Sequence, residues 1–277
     1  MYLVFDIGGT HIRLGLVNES LKLVSSKIIN TPESAVDGLD RILEFVGEQK
    51  IYKTVGGIAG VFDKDRNTIF KSPNLHGWEG FKLKSSLEKQ LGSEVFLEND
   101  AALAALGEAV YGAGKGFRIA AYITISTGVG GARIVNGKID EKSFGFEPGS
   151  QIISLSLSQS LSLGKSGKRI ATLEDLISGS SIKRIYKKDA ESLTEKRVWK
   201  DIVKKTAVGL TNVTVFWSPD IIILGGGVSS SDYFDLNQVR TEMEKLNRKF
   251  PKLPFLRKSS LGEYSGIYGG IALLRNL

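Results

Sequence analysis

The glycines at positions 8 and 9 constrain this chain more than any other feature, because apolar β-forming residues flank them on both sides. Tyr2 to Asn18 alternates around this pair and reads as strand, glycine turn, antiparallel strand. A dinucleotide-binding turn is excluded, since its glycines open a helix, and no Gly-Lys-Ser/Thr follows a strand at the spacing of a P-loop. The pattern returns at Ala121-Tyr122-Ile123-Thr124-Ile125, with a turn over Ser126 to Gly131, then Ala132-Arg133-Ile134-Val135 and an Asn136-Gly137 turn. Two similar halves are the expectation, resting on one matching hairpin.

Between the hairpins the periodicity predicts a helix over Pro32 to Gln49, a strand ending at Gly56-Gly57-Ile58-Ala59-Gly60, and a helix around Leu83 to Leu91. The strand Val95-Phe96-Leu97-Glu98-Asn99-Asp100 then runs directly into an Ala-rich helix, Ala101 to Tyr111. After the second hairpin come an amphipathic helix bearing Val198, Trp199, Ile202, Val203 and Val208, a buried-type strand Asp220 to Leu224, and the turn Gly225-Gly226-Gly227. Strands alternating with helices define an α/β class. The length of 277 residues favours two lobes, each of roughly 100–150 residues. Gly112-Ala113-Gly114-Lys115-Gly116 is a candidate hinge between them. The Ser/Leu segment from Gln151 to Ser166 alternates like an exposed strand and ends in Gly164-Lys165-Ser166-Gly167; pattern alone gives it no chemical role.

Composition narrows the function classes. Apolar runs such as Ile221 to Leu224 fall far short of the roughly 20 residues that cross a bilayer, and no secretory signal precedes the first strand, so no membrane partner and a cytoplasmic location are expected. There is no cysteine, and His11 and His76 are the two histidines. Disulfides and thiolate metal sites are therefore excluded, and no zinc is expected. The formal charge of +7 raises nucleic-acid binding, but Lys187, Lys188, Lys196, Arg197, Lys204 and Lys205 alternate with acidic and apolar residues as on solvated helix faces. No nucleic-acid partner is expected, and such a field also suits ATP.

Chemistry concentrates at the glycine turns. Asp6-Ile7-Gly8-Gly9-Thr10 brings unhindered backbone N–H groups to a turn where they can cradle phosphate, with Thr10 and Arg13 as further donors and Asp6 placed to orient a phosphate-bound Mg²⁺ through water. The alternative is a plain glycine hairpin. A second hairpin with Thr127, Gly128 and Gly130 favours the phosphate reading, since two such loops can clamp a polyphosphate. Gly225, Gly226 and Gly227 follow a parallel-type strand, where an adenosine could lie. Asn99-Asp100 reads either as a helix N-cap or as a catalytic pair in which Asp100 takes a proton from a hydroxyl and Asn99 binds a neighbouring one; both readings can hold together. Glu147 and Glu174, taken singly, read as surface carboxylates.

Taken in order, these segments resemble the ROK family of sugar kinases and repressors over nearly the whole chain. Asp6 to Thr10 matches the first phosphate loop and Gly57-Ile58-Ala59-Gly60 the sugar-side turn. Ser72-Pro73-Asn74-Leu75 through Gly77-Trp78 looks like the glucokinase members. Glu98-Asn99-Asp100-Ala101 matches the catalytic motif, Ser126 to Gly131 the second phosphate loop, and Leu224 to Val228 the nucleotide turn. The resemblance implies two ribonuclease H-like, actin-like ATPase lobes with a cleft between them, one spanning 1–114 with the C-terminal segment 265–277 and its helix, Gly269 to Asn276, returned to it, the other 115–264. It implies ATP and Mg²⁺ as cofactors, a homodimer, Asp100 as base, and Gly60, Asn74, Asn99, Glu147 and Glu174 on the sugar. Phosphoryl transfer to the 6-hydroxyl of glucose or of several hexoses is the expected reaction; an N-acetylhexosamine or fructose kinase and a non-catalytic sugar-binding relic are the alternatives.

Two departures from the family bear on the sugar pocket. Glu147-Pro148-Gly149-Ser150 has serine where the family has histidine, and Thr172 stands where a zinc-binding cysteine would precede Leu173-Glu174. The pocket must be braced otherwise. A repressor would need a helix-turn-helix of roughly 60–80 residues before the first phosphate loop, whereas here that loop begins at Asp6, so an enzyme is expected.

Overall fold

The computed structural model describes residues 1–63, 65–72, 74–155 and 170–277. Pro73, the Ser/Leu segment from residue 156 onward and the glycine loop that ends it lie outside the described residues. The chain divides into two compact units, the first formed by Met1–Lys115, Gly137–Gly145 and Glu263–Leu277, the second by Gly116–Asn136 and Phe146–Gly262.

In the first unit, β1 (Tyr2–Ile7) is apolar along nearly its whole length because it is covered on both faces. Leu3, Phe5 and Ile7 share a core with Ile42 and Val46 of helix α1 (Ala35–Val46) and with Leu83 and Leu87 of α2 (Leu83–Leu91). Val4, pointing the other way, clusters with Leu103 of α3 (Asp100–Val110) and with Ile267 and Ile271 of the C-terminal helix Ser265–Leu274. Each fully buried side chain of this kind contributes about 1.5–3 kcal/mol. With β2 (His11–Val17), β3 (Leu23–Asn30), β4 (Lys53–Ile58) and β5 (Glu94–Asn99), the sheet order is β3-β2-β1-β4-β5. β2 is antiparallel to β1. β4 and β5 run parallel to it, with Asp6 opposite Gly57 and Ile58 opposite Asn99, so three carboxyl ends lie side by side.

In the second unit, β6 (Ile119–Ile125) and β7 (Val129–Val135) form the hairpin around the second glycine turn. β8 (Ile221–Gly225) is parallel to β6, and β9 (Phe255–Lys258) is parallel to β8. The order β7-β6-β8-β9 repeats the β2-β1-β4-β5 arrangement of the first unit. Ile123, Ile125 and Leu224 pack here with Trp199, Ile202 and Leu210 of the helix Lys196–Trp217.

Helix ends differ from the periodic reading for local and for tertiary reasons. α1 is shorter than Pro32 to Gln49 because the Ser34 hydroxyl accepts from Val36 N at 3.2 Å and caps the start, while Gly47, at φ +57, ends it. The C-terminal helix instead begins at Ser265, ahead of the Gly269 start that was predicted. Gly266, Gly269 and Gly270 are poor helix formers, yet they are helical because the face they form lies against backbone and buried side chains. A Cβ on Gly269 would stand 1.8 Å from the Leu103 carbonyl oxygen, so the crossing with α3 needs glycine there.

Candidate active site

Alternation along β1 turns Asp6 to the same side as Val4, toward α3 and the C-terminal helix. Its Oδ1 is buried and has no hydrogen-bond partner, and its Oδ2 lies 3.9 Å from Arg13 Nη1. On the neighbouring strand Gly57 has no side chain to intervene: a Cβ there would be 3.2 Å from Asp6 Oδ1 and 3.4 Å from Asp100 Cα. Asp6 and Asp100, far apart in the chain, thus meet at one sheet edge. Burial pushes the Asp6 carboxyl up to about 7, the charge of Asp100 adds to the rise, and Arg13 opposes it. Burial also raises Asp100, against the backbone N–H groups of Ala101 and of Asp100 itself, and against Arg13.

The raised Asp6 has a consequence for stability. Below about pH 4 both folded and unfolded chains carry a protonated Asp6, and the group has no effect. Between the ordinary value of 3.8 and about 7 the unfolded chain ionises first, so Asp6 increasingly destabilises the fold; above 7 the penalty is constant. Asp6→Asn is expected to melt at a higher temperature than wild type in Mg²⁺-free buffer at pH 8, by the equivalent of about 2–4 kcal/mol, with the difference vanishing near pH 4. Calorimetric unfolding across that range checks it, and a pH-independent difference would refute the burial account.

Asn99 caps α3: its Oδ1 accepts from Ala102 N at 3.1 Å, and its Nδ2 donates to the Gly60 carbonyl at 3.4 Å. The capping reading of the Asn99-Asp100 pair is thus realised, and the cap fixes the turn on which Asp100 sits. Behind it, Glu98 accepts from Asn99 N through Oε1 at 2.9 Å, while its Oε2 receives Arg66 Nη1 at 2.5 Å and Lys142 Nζ at 3.3 Å. Glu98 and Lys142 side chains are only 8% and 9% exposed, so this is a buried ion pair, with the half-exposed Arg66 as a second cation.

The first glycine turn is pinned by Thr31, whose Oγ1 donates to Gly8 O at 2.7 Å and whose N–H donates to Thr10 O at 2.9 Å. Gly8 N donates back to His11 O at 3.0 Å. Gly9 and Thr10 are exposed, and Asn74 lies on the turn, its Cβ 2.6 Å from where a Gly9 Cβ would stand. Arg13 is engaged by acids, with Nη2 3.0 Å from Glu263 Oε1 in addition to its approach to Asp6.

In the second unit the turn after β6 is tied on three peptide groups to residues 174–180. Gly179 N donates to Ser126 O at 2.7 Å, Ser180 N to Thr127 O at 3.2 Å, and Val129 N to Glu174 Oε2 at 2.7 Å. Within the turn Ser126 N donates to Gly128 O at 2.9 Å. The N–H groups of Thr127 and Gly128 enter none of these bonds, while Gly130 sits in β7 opposite Thr124. Gly225 is opposite Thr124 as well, which brings the Gly225-Gly226-Gly227 turn beside the base of this loop. Gly226 adopts φ +89, and the Ser229 and Ser230 hydroxyls donate to the Gly225 and Gly226 carbonyls at 2.7 and 3.0 Å.

Glu147 and Ser150 are exposed, the first just before and the second at the end of a single-turn helix, Pro148–Ser150. Gln151 anchors that turn: its Nε2 donates to Pro148 O at 2.7 Å, its backbone oxygen accepts from Leu173 N at 2.9 Å, and its Oε1 accepts from Asn212 Nδ2 at 2.9 Å. Thr172 forms a capping box with Asp175 and so starts the Leu173–Ile177 helix that carries Glu174. The segments bearing Glu147 and Glu174 are thus joined by the backbone bond from Leu173 N to Gln151 O. Among the described residues no group of three or more His, Cys, Asp or Glu side chains could hold a metal ion.

Two sheets of this order, each with a glycine turn between its first two strands, define the ribonuclease H-like, actin-like ATPase class of α/β protein. A model of the ROK family matches residues 2–276, and the chain belongs to that family. It is similar to a glucokinase of Streptomyces coelicolor, 26% identical over 309 residues that cover 98% of this chain and 96% of the relative. It is equally similar to an N-acetyl-D-glucosamine kinase of Histophilus somni, 26% identical over 302 residues and covering 99% and 98% of the two chains. Among solved structures, a ROK family glucokinase from Streptomyces griseus in complex with glucose and AMPPNP superposes with a TM-score of 0.79 at 25% identity, covering 100% of this chain and 99% of that one. Among the described residues no helix is long and apolar enough to cross a membrane.

Sequence reading missed Arg66, Lys142, Gln151 and Asn212. Arg66 and Lys142 reach Glu98 from 32 and 44 residues away, and Asn212 meets Gln151 across 61. None of them carries a local signal. Thr172 with Asp175 was findable, since a hydroxyl residue followed three positions later by an acid marks a capping box.

Proposed function

We propose that the chain is an ATP-dependent sugar kinase that transfers the γ-phosphoryl group to a hexose hydroxyl, the 6-hydroxyl of glucose or of several hexoses. The observation that carries this reading is the half-buried Asp100 at the carboxyl end of β5, raised in pKa by desolvation and set beside Asp6. A carboxylate made more basic by burial is suited to take the proton of an alcohol as its oxygen attacks. The hydroxyl proton passes to an Asp100 carboxylate oxygen, the sugar oxygen forms a bond to the γ-phosphorus, and the bond from that phosphorus to the bridging oxygen breaks, releasing ADP. Asn99, Asn74, the Gly60 backbone, Glu147 and Glu174 supply acceptors and donors for the ring hydroxyls.

Phosphate binding falls to backbone donors. In the first unit the donors are Gly8, Gly9 and Thr10; in the second they are Thr127, Gly128 and Gly130, with Gly225 to Gly227 against the adenosine. The orphaned, buried Oδ1 of Asp6 fits a hard cation such as Mg²⁺, which is held by one or two carboxylates together with substrate phosphates. When bound, Mg²⁺ neutralises charge on the phosphate oxygens; Asp6 would hold it, directly or through water. ATP as donor is supported by the AMPPNP bound in the Streptomyces griseus relative.

The equal similarity to an N-acetyl-D-glucosamine kinase supports a second reading, in which the sugar carries a 2-acetamido group. A coupled ADP assay with glucose, mannose, fructose, N-acetylglucosamine and N-acetylmannosamine separates them. Ser150, shorter than the imidazole that the family pattern has at this position, leaves room in the pocket, so at least two hexoses are expected within about 10²-fold of each other in kcat/KM. Activity confined to one sugar would refute relaxed specificity. No phosphorylation of any sugar would refute the kinase reading in favour of a sugar-binding relic.

A further inference from the structure

We propose that Glu174 is a positioning residue of the 126–131 loop, holding the Val129 N–H so that the loop presents a fixed set of donors to a polyphosphate. This inference rests on the kinase reading and adds to it a role that a sugar ligand need not have. The Glu174 Oε2 atom lies 2.7 Å from Val129 N, while Gly128 next to it has no Cβ; one placed there would stand 2.8 Å from the same oxygen. Van der Waals contact with any other residue at 128 would push the carboxylate off the loop. The other two ties to residues 174–180 run through carbonyl oxygens of Ser126 and Thr127, so Glu174 is the one side chain among the three ties that takes a loop N–H. Its helix is in turn placed by the Thr172–Asp175 capping box and by Leu173 N on Gln151 O.

A carboxylate against a phosphate loop is electrostatically adverse to an anion, so its presence calls for a compensating structural effect. Fixing one N–H and thereby the turn supplies it: a loop ordered before binding loses less conformational freedom when the nucleotide arrives. The second oxygen, Oε1, faces no such bond and is left for a sugar hydroxyl.

The test compares Glu174→Gln with Glu174→Ala by isothermal titration of AMPPNP without sugar, followed by KM for sugar and for ATP. The glutamine carbonyl can still accept from Val129 N and the charge is gone, so E174Q is expected to bind AMPPNP as tightly as wild type or tighter. E174A loses the tie as well as the charge and is expected to bind at least about tenfold more weakly than E174Q, with a matching rise in KM for ATP. Glu174 is exposed on the first turn of its helix, so alanine is compatible with the fold, which a melting curve verifies. If E174A does not fold, Glu174→Asp, one methylene short of Val129 N, takes its place with the same expected weakening. Equal AMPPNP affinity in both variants, with a change in sugar KM alone, would overturn the proposal and leave Glu174 as a sugar ligand. A wild-type chain that binds no AMPPNP would overturn it together with the kinase reading.

Discussion

Asp100→Asn is expected to leave a folded protein that binds nucleotide and sugar but turns over about 10²–10⁴-fold more slowly, the usual contribution of a positioned base. The substitution is isosteric, and it leaves the Asn99 cap on Ala102 N intact, so α3 should start where it does now. It also removes a half-buried carboxyl whose ionisation desolvation opposes, which spares the fold rather than burdening it. The amide cannot take a proton from an alcohol at neutral pH, so the loss should appear in kcat, with AMPPNP affinity unchanged. A variant retaining more than about a tenth of wild-type kcat would place the base elsewhere, Asp6 being the first candidate.

Gly269→Ala is expected to be among the most damaging single-methyl substitutions in the chain, costing about 3 kcal/mol or more. The added Cβ would stand 1.8 Å from the Leu103 carbonyl oxygen and 2.5 Å from its carbon. Both belong to the backbone of α3, which cannot rotate aside as a side chain could. The C-terminal helix must therefore move away from α3, opening the cluster of Val4, Val55, Leu103, Ile267 and Ile271. Gly92→Ala is the control: that residue has φ +61 and open space around its missing Cβ, so it should cost about 1–2 kcal/mol from backbone strain alone. Melting temperatures of the two variants decide the matter, and a smaller loss for Gly269→Ala than for Gly92→Ala would show that the helices are not locked at this crossing. Because α3 begins at Asp100, the same variant should also lose activity out of proportion to its effect on ATP affinity.

What could be read from the sequence was local. The two glycine hairpins follow from alternation on either side of a turn that needs small residues, and the junction of β5 with α3 follows from a strand pattern that meets an N-cap and an Ala-rich run. The ordered set of these motifs carried the resemblance to the ROK family, which the family match over residues 2–276 shows. In the folded sheet Asp6 lies on one face of β1. What no local pattern contained was which distant residues share that face. Asp6 meets Asp100 because β4 lies between β1 and β5 with a glycine at the shared edge, a matter of sheet order. Glu98 finds Arg66 and Lys142, and Glu174 turns onto Val129 from 45 residues away, through contacts that exist only once the helices have docked. The early start of the C-terminal helix has the same origin: three glycines that disfavour a helix in isolation are helical because α3, Asp6 and Val4 leave no room for anything larger. Short-range preferences are encoded within a few residues of the chain, whereas the environment that shifts a carboxyl or fixes a loop is supplied by partners brought close only by packing.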